Sequence, residues 1–116
     1  MNNILTYNEA LEIYTAMQEN LDRSDNDHVE LFDEMISKAI RYAGIRSGWR
    51  LLTREQKIDT DESRTMAHNA FITSVNIVAR LEKEAGAAWR ERLSDDRKRI
   101  GDMAAFIALF IALEER

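Results

Sequence analysis

Residues 94–113 place the strongest constraint on how this chain folds, because the last eleven of them are all apolar. A helix over this segment, drawn at 100° per residue, has one wide apolar flank. This flank contains Ile100, Met103, Ile107, Phe110 and Ile111, extended by Phe106, Leu109 and Leu113. A helix that is apolar on all sides belongs in the middle of a bundle or against another subunit. We therefore predict that the C-terminal helix is buried on nearly every side.

The composition fits a chain that is helical almost throughout. There are no prolines and only four glycines in 116 residues, so little interrupts the hydrogen bonds of a helical backbone. A chain of this length buries enough surface to fold as one domain without a metal or a disulfide. We predict an all-α fold with a single domain over residues 1–116, and the lack of cysteine fits a reducing compartment.

Apolar stripes at helical spacing and capping residues predict four helices. Their expected N-caps are Thr6, Asp27, Thr60 or Asp61, and Ser94. The first helix is expected to end near residue 21, the second between Gly44 and Gly48, and the third at Gly86, because glycine is common just past a helix end. Short helical turns are expected at residues 53–58 and 87–93. Because short connections favour antiparallel neighbours, the predicted architecture is an antiparallel up-and-down four-helix bundle with short extra helical turns in the connections.

The first two predicted helices each have one apolar stripe. In the first helix the stripe contains Tyr7, Ala10, Leu11, Tyr14, Met17 and Leu21. In the second helix it contains Val29, Phe32, Met35, Ile36, Ala39, Ile40 and Ala43. We expect these positions to pack against the C-terminal helix.

The two histidines lie in different settings. His28, next to Asp27, is expected to be exposed at the start of the second helix. His68 lies on one edge of the third predicted helix together with Asp61 and Arg64. An acid, a base and an imidazole on adjoining turns can form a buried relay for proton transfer, or a salt bridge that only orients the rim of a core. Both interpretations apply to this candidate polar site of Asp61, Arg64 and His68.

The third predicted helix also has a polar side. This polar strip includes Asn69, Thr73, Asn76 and Arg80. Amide and hydroxyl side chains bind water and polar partners equally well. The sequence leaves open whether the polar strip is solvated or enclosed.

The formal charge of −5 is distributed unevenly along the chain. Residues 1–34 contain nine acidic residues and one basic residue, a net charge of −8, whereas the other 82 residues carry +3. Phosphate binding requires clustered Lys and Arg, so we expect no nucleic-acid partner. The acidic N-terminal segment, residues 1–34, fits either a solvated face or an inhibitor or immunity-type module that covers a basic protein.

Two pairs of acids suggest a further chemistry. Glu9 and Glu12 are three residues apart, as are Glu30 and Asp33, and carboxylates on adjacent helices can hold Mg²⁺ and present it to a pyrophosphate. The pattern resembles that of the small all-α nucleoside triphosphate pyrophosphohydrolases, which implies Mg²⁺-dependent pyrophosphate hydrolysis. The chain has Asn8 where that family has the first acid of a doublet. The angular positions of the four acids also direct most of them towards water.

Other catalytic chemistry has little support in the sequence. There is no cysteine nucleophile, no serine in a Gly-x-Ser-x-Gly context and no glycine-rich phosphate loop. We expect no cofactor and no metal.

The first residues of the chain lack the basic and apolar regions of a secretory signal, and the apolar run of the C-terminal helix is about half the length of a membrane span. The expected location is therefore the cytoplasm, with no membrane contact.

A line of small residues on the C-terminal helix points to close helix packing. It contains Gly101, Ala105, Ala108 and Ala112. A second helix can approach such a line closely, and it belongs either to the same monomer or to another subunit. If the other helices cover only one flank, the remaining apolar surface indicates a partner. The leading expectation is a protein that acts by binding itself, as a homodimer, or another protein, rather than an enzyme. The expected contact is the C-terminal helix or the acidic surface of the first two helices.

Overall fold

The computed structural model describes residues 3–115, which form five α-helices and no β-strand. The helices are α1 (Tyr7–Glu19), α2 (Asn26–Gly48), α3 (Arg54–Leu81), α4 (Lys83–Leu93) and α5 (Arg97–Glu114), with a 3₁₀ turn at Trp49–Leu51 between α2 and α3. The predicted all-α class is confirmed. Residues 83–93 form a helix in their own right instead of a short connection, so five helices pack together.

None of the helices within residues 3–115 has the combined length and apolarity needed to cross a membrane. Residues 1 and 2, which belong to the stretch expected to lack a secretory signal, lie outside the described residues. The antiparallel up-and-down order of the helices stays a prediction.

The third helix begins earlier than predicted. Thr53 caps α3 through a complete capping box, in which the Gln56 backbone N–H donates to Thr53 Oγ1 (3.1 Å) and the Thr53 N–H donates to Gln56 Oε1 (2.8 Å). The expected start at Thr60 or Asp61 is wrong, because the Thr53 cap already supplies the first turn and no glycine or proline follows before Leu81. Inside this longer helix the Thr60 hydroxyl donates to the Gln56 carbonyl oxygen.

Two of the other predicted caps are also displaced. Thr6 caps α1 as expected, accepting from the Glu9 N–H at 3.2 Å. Asp25 caps α2 instead of Asp27, and Asp96 caps α5 instead of Ser94. In both cases a carboxylate that accepts from two backbone N–H groups of the first turn replaces the neighbouring candidate.

The core lies around α2, which packs mainly against α3 and α5. Its buried residues are His28, Phe32, Met35, Ala39 and Tyr42. The expected burial of Ile40 is wrong, because the two neighbours of α2 cover a side centred on Met35 and Tyr42. His28, expected in solvent, belongs to this buried side.

In α1 the buried side is likewise rotated from the predicted stripe. The helix packs against both α4 and α5, which shifts its core side towards Ile13 and leaves Leu11 40 % exposed. Tyr7 also stays 44 % exposed. Two large apolar residues of α1 therefore remain at the surface next to α5.

Candidate functional site

Helix α5 has one flank in the core and one flank in solvent. The buried residues are Ile100, Gly101, Met103, Ala104, Ile107 and Phe110. On the opposite side Leu109 and Leu113 are 42 % and 41 % exposed, and Ala105 and Ala112 are also exposed. The prediction of a helix buried on nearly every side is wrong, because α2 and α1 are the main coverings of α5 and neither reaches its outer flank.

The line of small residues on α5 is divided between two environments. Gly101 lies against the Arg46 guanidinium, where an added Cβ would be 3.1 Å from Arg46 Cζ. Arg46 is held there by an ion pair with Asp102 at 2.8 Å. Ala108 is half-buried, whereas Ala105 and Ala112 are exposed. Gly101 therefore serves packing within the monomer, and the three alanines lie towards the uncovered flank.

Helix α1 extends the uncovered flank of α5. The Tyr7 ring meets Phe106 edge-on at 6.1 Å and Phe110 at 5.5 Å between centroids. Leu11 lies one turn further along α1 and is exposed on the same side. We call this surface the α1–α5 face; it consists of Tyr7, Leu11, Ala105, Phe106, Ala108, Leu109, Ala112 and Leu113.

Two members of the candidate polar site lie together near the start of α3. Arg64 Nη2 donates to Asp61 Oδ1 at 3.2 Å, and the Arg64 guanidinium carbon lies 4.3 Å from the centroid of the Trp49 ring. Both side chains reach solvent. The pair and the indole fix the turn between α2 and α3, as a salt bridge and a cation–π contact do at the edge of a core.

His68 does not join this pair through a hydrogen bond. It is 2 % exposed and meets the Tyr42 ring edge-on at 5.0 Å, and neither ring nitrogen has a hydrogen-bond partner among residues 3–115. Burial lowers the pKa of His68, and the positive charge of Arg97 lowers it further. A neutral imidazole packed against an aromatic ring acts here as a core side chain.

The paired acids of α1 are engaged by arginines. Arg99 Nη2 donates to Glu9 Oε1 at 2.8 Å, and Arg92 pairs with Glu12 at 3.1 Å and with Glu9 at 3.6 Å. Arg99 is largely buried and also donates to the Asn3 carbonyl. This network ties α1 and the segment before it to α4 and α5.

The acids of α2 remain apart from those of α1. Glu30 and Asp33 are exposed on the outer side of α2. Within the described part of the chain no group of three or more Asp, Glu, His or Cys side chains is placed to hold a metal ion. The four acids that suggested a Mg²⁺ site are therefore not brought into one ligand set.

A buried polar cluster at the junction of α3 and α4 was not anticipated. Glu82, whose side chain is fully buried, accepts a hydrogen bond at its Oε1 from Trp89 Nε1 at 2.8 Å. Its Oε2 lies 3.7 Å from Nε2 of His28, and His28 Nδ1 accepts from the Asp22 backbone N–H at 3.2 Å. The sequence contained a signal, because Glu82 continues the helical spacing of the buried residues Val75 and Val78.

Burial dominates the electrostatics of Glu82. Desolvation raises the pKa of its carboxyl group to about 7, against the hydrogen bond from Trp89, which lowers it. A carboxyl group that titrates near neutral pH is therefore held between α2, α3 and α4.

The polar strip of α3 lies mostly at the surface. Asn69, Thr73 and Arg80 are exposed, whereas Asn76 is half-buried and its Oδ1 accepts from Arg90 Nε at 2.7 Å. The C-terminal part of the strip therefore faces α4 and its first part faces water.

Compared with protein-family models, with curated proteins and with solved structures, the chain has no match. The α1–α5 face has large apolar side chains at the surface on two adjacent helices. Contiguous apolar surface of this kind marks sites of interaction.

Proposed function

We propose that the protein acts by protein–protein interaction and that its partner at the α1–α5 face is a second copy of itself. The observation that carries the proposal is the exposure of Leu109 and Leu113, one turn apart on α5, beside the exposed Tyr7 of α1. A two-fold symmetric contact uses the same patch on both subunits, so one apolar patch is sufficient.

The shape of the face supports close contact between two helices. Ala105, Ala108 and Ala112 present nothing larger than a methyl group, so the backbone of a partner helix can approach, and the leucines beside them fill the flanking space. None of the eight side chains of the face is charged, and the Arg46–Asp102 ion pair borders the face next to Ala105.

Charge next to the face is largely balanced within the monomer. Glu9 and Glu12 lie on the same helix as Tyr7, and both are paired with arginines of α4 and α5. Pairing of these acids reduces the repulsion that two chains of net charge −5 would otherwise exert near their contact.

Replacing Leu109 with glutamate is expected to convert the protein from a dimer to a monomer, because each subunit would bury a charge at the contact. Light scattering coupled to size-exclusion chromatography should give a mass near twice 13.5 kDa for the unchanged chain and near 13.5 kDa for the variant. Leu51→Glu is the matched control, since Leu51 is 87 % exposed on the 3₁₀ turn and outside the face. A monomeric unchanged chain, or an equal effect of both substitutions, would contradict the proposal.

The remaining expectations belong to the same proposal. We expect the dimer in the cytoplasm, because a chain without cysteine fits a reducing compartment. Helices α1, α2, α3 and α5 are taken as the antiparallel up-and-down members of a bundle, because the connections between α1 and α2 and between α2 and α3 are short. Helix α4 adds a fifth, shorter member.

The start of α2 favours a second candidate, the acidic inhibitor or immunity-type module. The acids of the turn before α2 and of the first turns of α2 are all exposed, and none forms a salt bridge within residues 3–115; they are Asp22, Asp25, Asp27, Glu30, Asp33 and Glu34. A concentrated negative surface of this kind steers a basic protein towards it.

A basic partner is expected to bind in a salt-sensitive way and to be lost when Glu30 and Asp33 are both replaced by lysine. The test is a pull-down with a basic protein such as a ribonuclease, washed at low and at high salt. Glu55→Lys and Glu62→Lys, two exposed acids of α3, are the matched control. Binding that resists high salt, or that the control abolishes equally, would count against this candidate.

A further inference from the structure

A cleft of about 740 Å³ lies where α3, α4 and the turn between α4 and α5 meet. Its apolar floor includes Ala79 and Ala87. Three cationic side chains border it, Arg80, Lys83 and Arg90, against two acidic ones, Glu91 and Asp95. The rim is therefore net positive in a chain of net charge −5.

The three cationic side chains differ in how many contacts they make within the protein. Arg80 and Lys83 form no salt bridge or side-chain hydrogen bond within the described residues. Arg90 is fixed by Asn76 through Nε, by the Ser94 carbonyl at 2.6 Å through Nη1, and by Asp95 at 3.2 Å through Nη2. A guanidinium has five N–H donors, so two of those of Arg90 remain for a ligand.

The ion pair between Arg90 and Asp95 on the rim is weak. Asp95 is fully exposed, and an exposed ion pair contributes little to stability. An anion entering the cleft can compete with the Asp95 carboxylate for Arg90 while also meeting the two free cations. Arg90 is thus oriented in advance, and Arg80 and Lys83 supply charge that no side chain of the described residues neutralises by contact.

Backbone strain is located at the same cleft. Lys83 and Ser94 are the two non-glycine residues of the described chain with positive φ, at 59° and 54°, and both border the cleft. Ser94 has ψ near −162°, a region that essentially only glycine adopts. Residues kept in such conformations cluster at ligand sites, where the strain positions the side chain or the turn.

We propose that this cleft binds a small organic phosphate, with the phosphate between Arg80, Lys83 and Arg90 and the organic part over Ala79 and Ala87. Arginine binds phosphate oxygens through its planar fork of donors, and lysine supplies a compact positive charge. None of the cleft residues belongs to the α1–α5 face, so this proposal does not depend on dimer formation.

Phenyl phosphate is the probe, titrated into the full-length chain and followed by the backbone amide signals in ¹⁵N-resolved NMR spectra. The signals of Ala87, Ser94 and Asp95 are expected to shift in a saturable way. Binding should be tighter than that of inorganic phosphate, because the phenyl ring covers the apolar floor. Equal binding of the two probes would overturn the assignment of an organic ligand, and the absence of saturable shifts at these residues would overturn the site.

The double variant Arg80→Gln with Lys83→Gln should weaken phenyl phosphate binding by about tenfold or more, since two charge-assisted contacts are lost. The matched control removes the same charge elsewhere, by Arg23→Gln with Arg54→Gln, two exposed residues outside the cleft. Retained binding in the control supports the cleft as the site. An equal loss in both double variants would show that only net charge matters and would overturn the proposal.

Discussion

Replacing Gly86 with alanine is expected to lower the free energy of unfolding by about 3 kcal/mol. A Cβ atom at this position would lie 1.8 Å from the Ala79 carbonyl oxygen, 2.6 Å from its carbon and 2.8 Å from its Cα. All three are backbone atoms, so no side-chain rotation relieves the overlap and α4 must move away from α3. Urea denaturation followed by circular dichroism measures the loss.

Gly44→Ala is the matched control for this substitution. Gly44 lies inside α2, and an added Cβ there would have no atom within 4 Å. Alanine removes backbone freedom from the unfolded chain and favours the helix, so this variant should be more stable by about 0.5–1 kcal/mol. A Gly86→Ala variant as stable as Gly44→Ala would contradict the close approach of α3 and α4.

Gly86 also shows why some helix ends are harder to predict than the helices themselves. It was expected to stop the third helix, yet it lies within α4, whereas α2 ends at Gly48, inside the predicted range from Gly44 to Gly48. The actual break between α3 and α4 falls at Glu82 and Lys83, where a lysine adopts positive φ. Composition cannot reveal a break that a non-glycine residue makes, because the surrounding packing, not the local preference of the residue, imposes it.

The candidate interaction surface was predictable only in part. The apolar run of α5 and its line of small residues could be read from the spacing of the sequence. Which flank stays uncovered could not, since it depends on where α1 and α2 cross α5, and the periodicity of a helix that is apolar on every side does not distinguish its flanks. The exposure of Leu11 on α1 follows from the same packing, because α4 draws the core side of α1 towards Ile13.

The protein is expected to lose stability as the pH rises from about 4.5 through about 7, because of Glu82. Its carboxyl group has a pKa of about 7 in the folded chain, against an ordinary value of 4.5. Between these values the folded state binds a proton that the unfolded state releases, so the free energy of unfolding falls with rising pH. The full difference corresponds to about 3 kcal/mol.

The Glu82→Gln variant separates this effect from the other titrating groups. A glutamine side chain keeps an oxygen that accepts from Trp89 Nε1 and cannot ionise beside His28, so its stability should change less with pH and should exceed that of the unchanged chain at pH 8. Glu91→Gln removes an exposed carboxylate of α4 and should leave the pH dependence as it was. The measurement is the free energy of unfolding in urea as a function of pH. If both variants showed the same pH dependence as the unchanged chain, a buried, protonated Glu82 would be excluded.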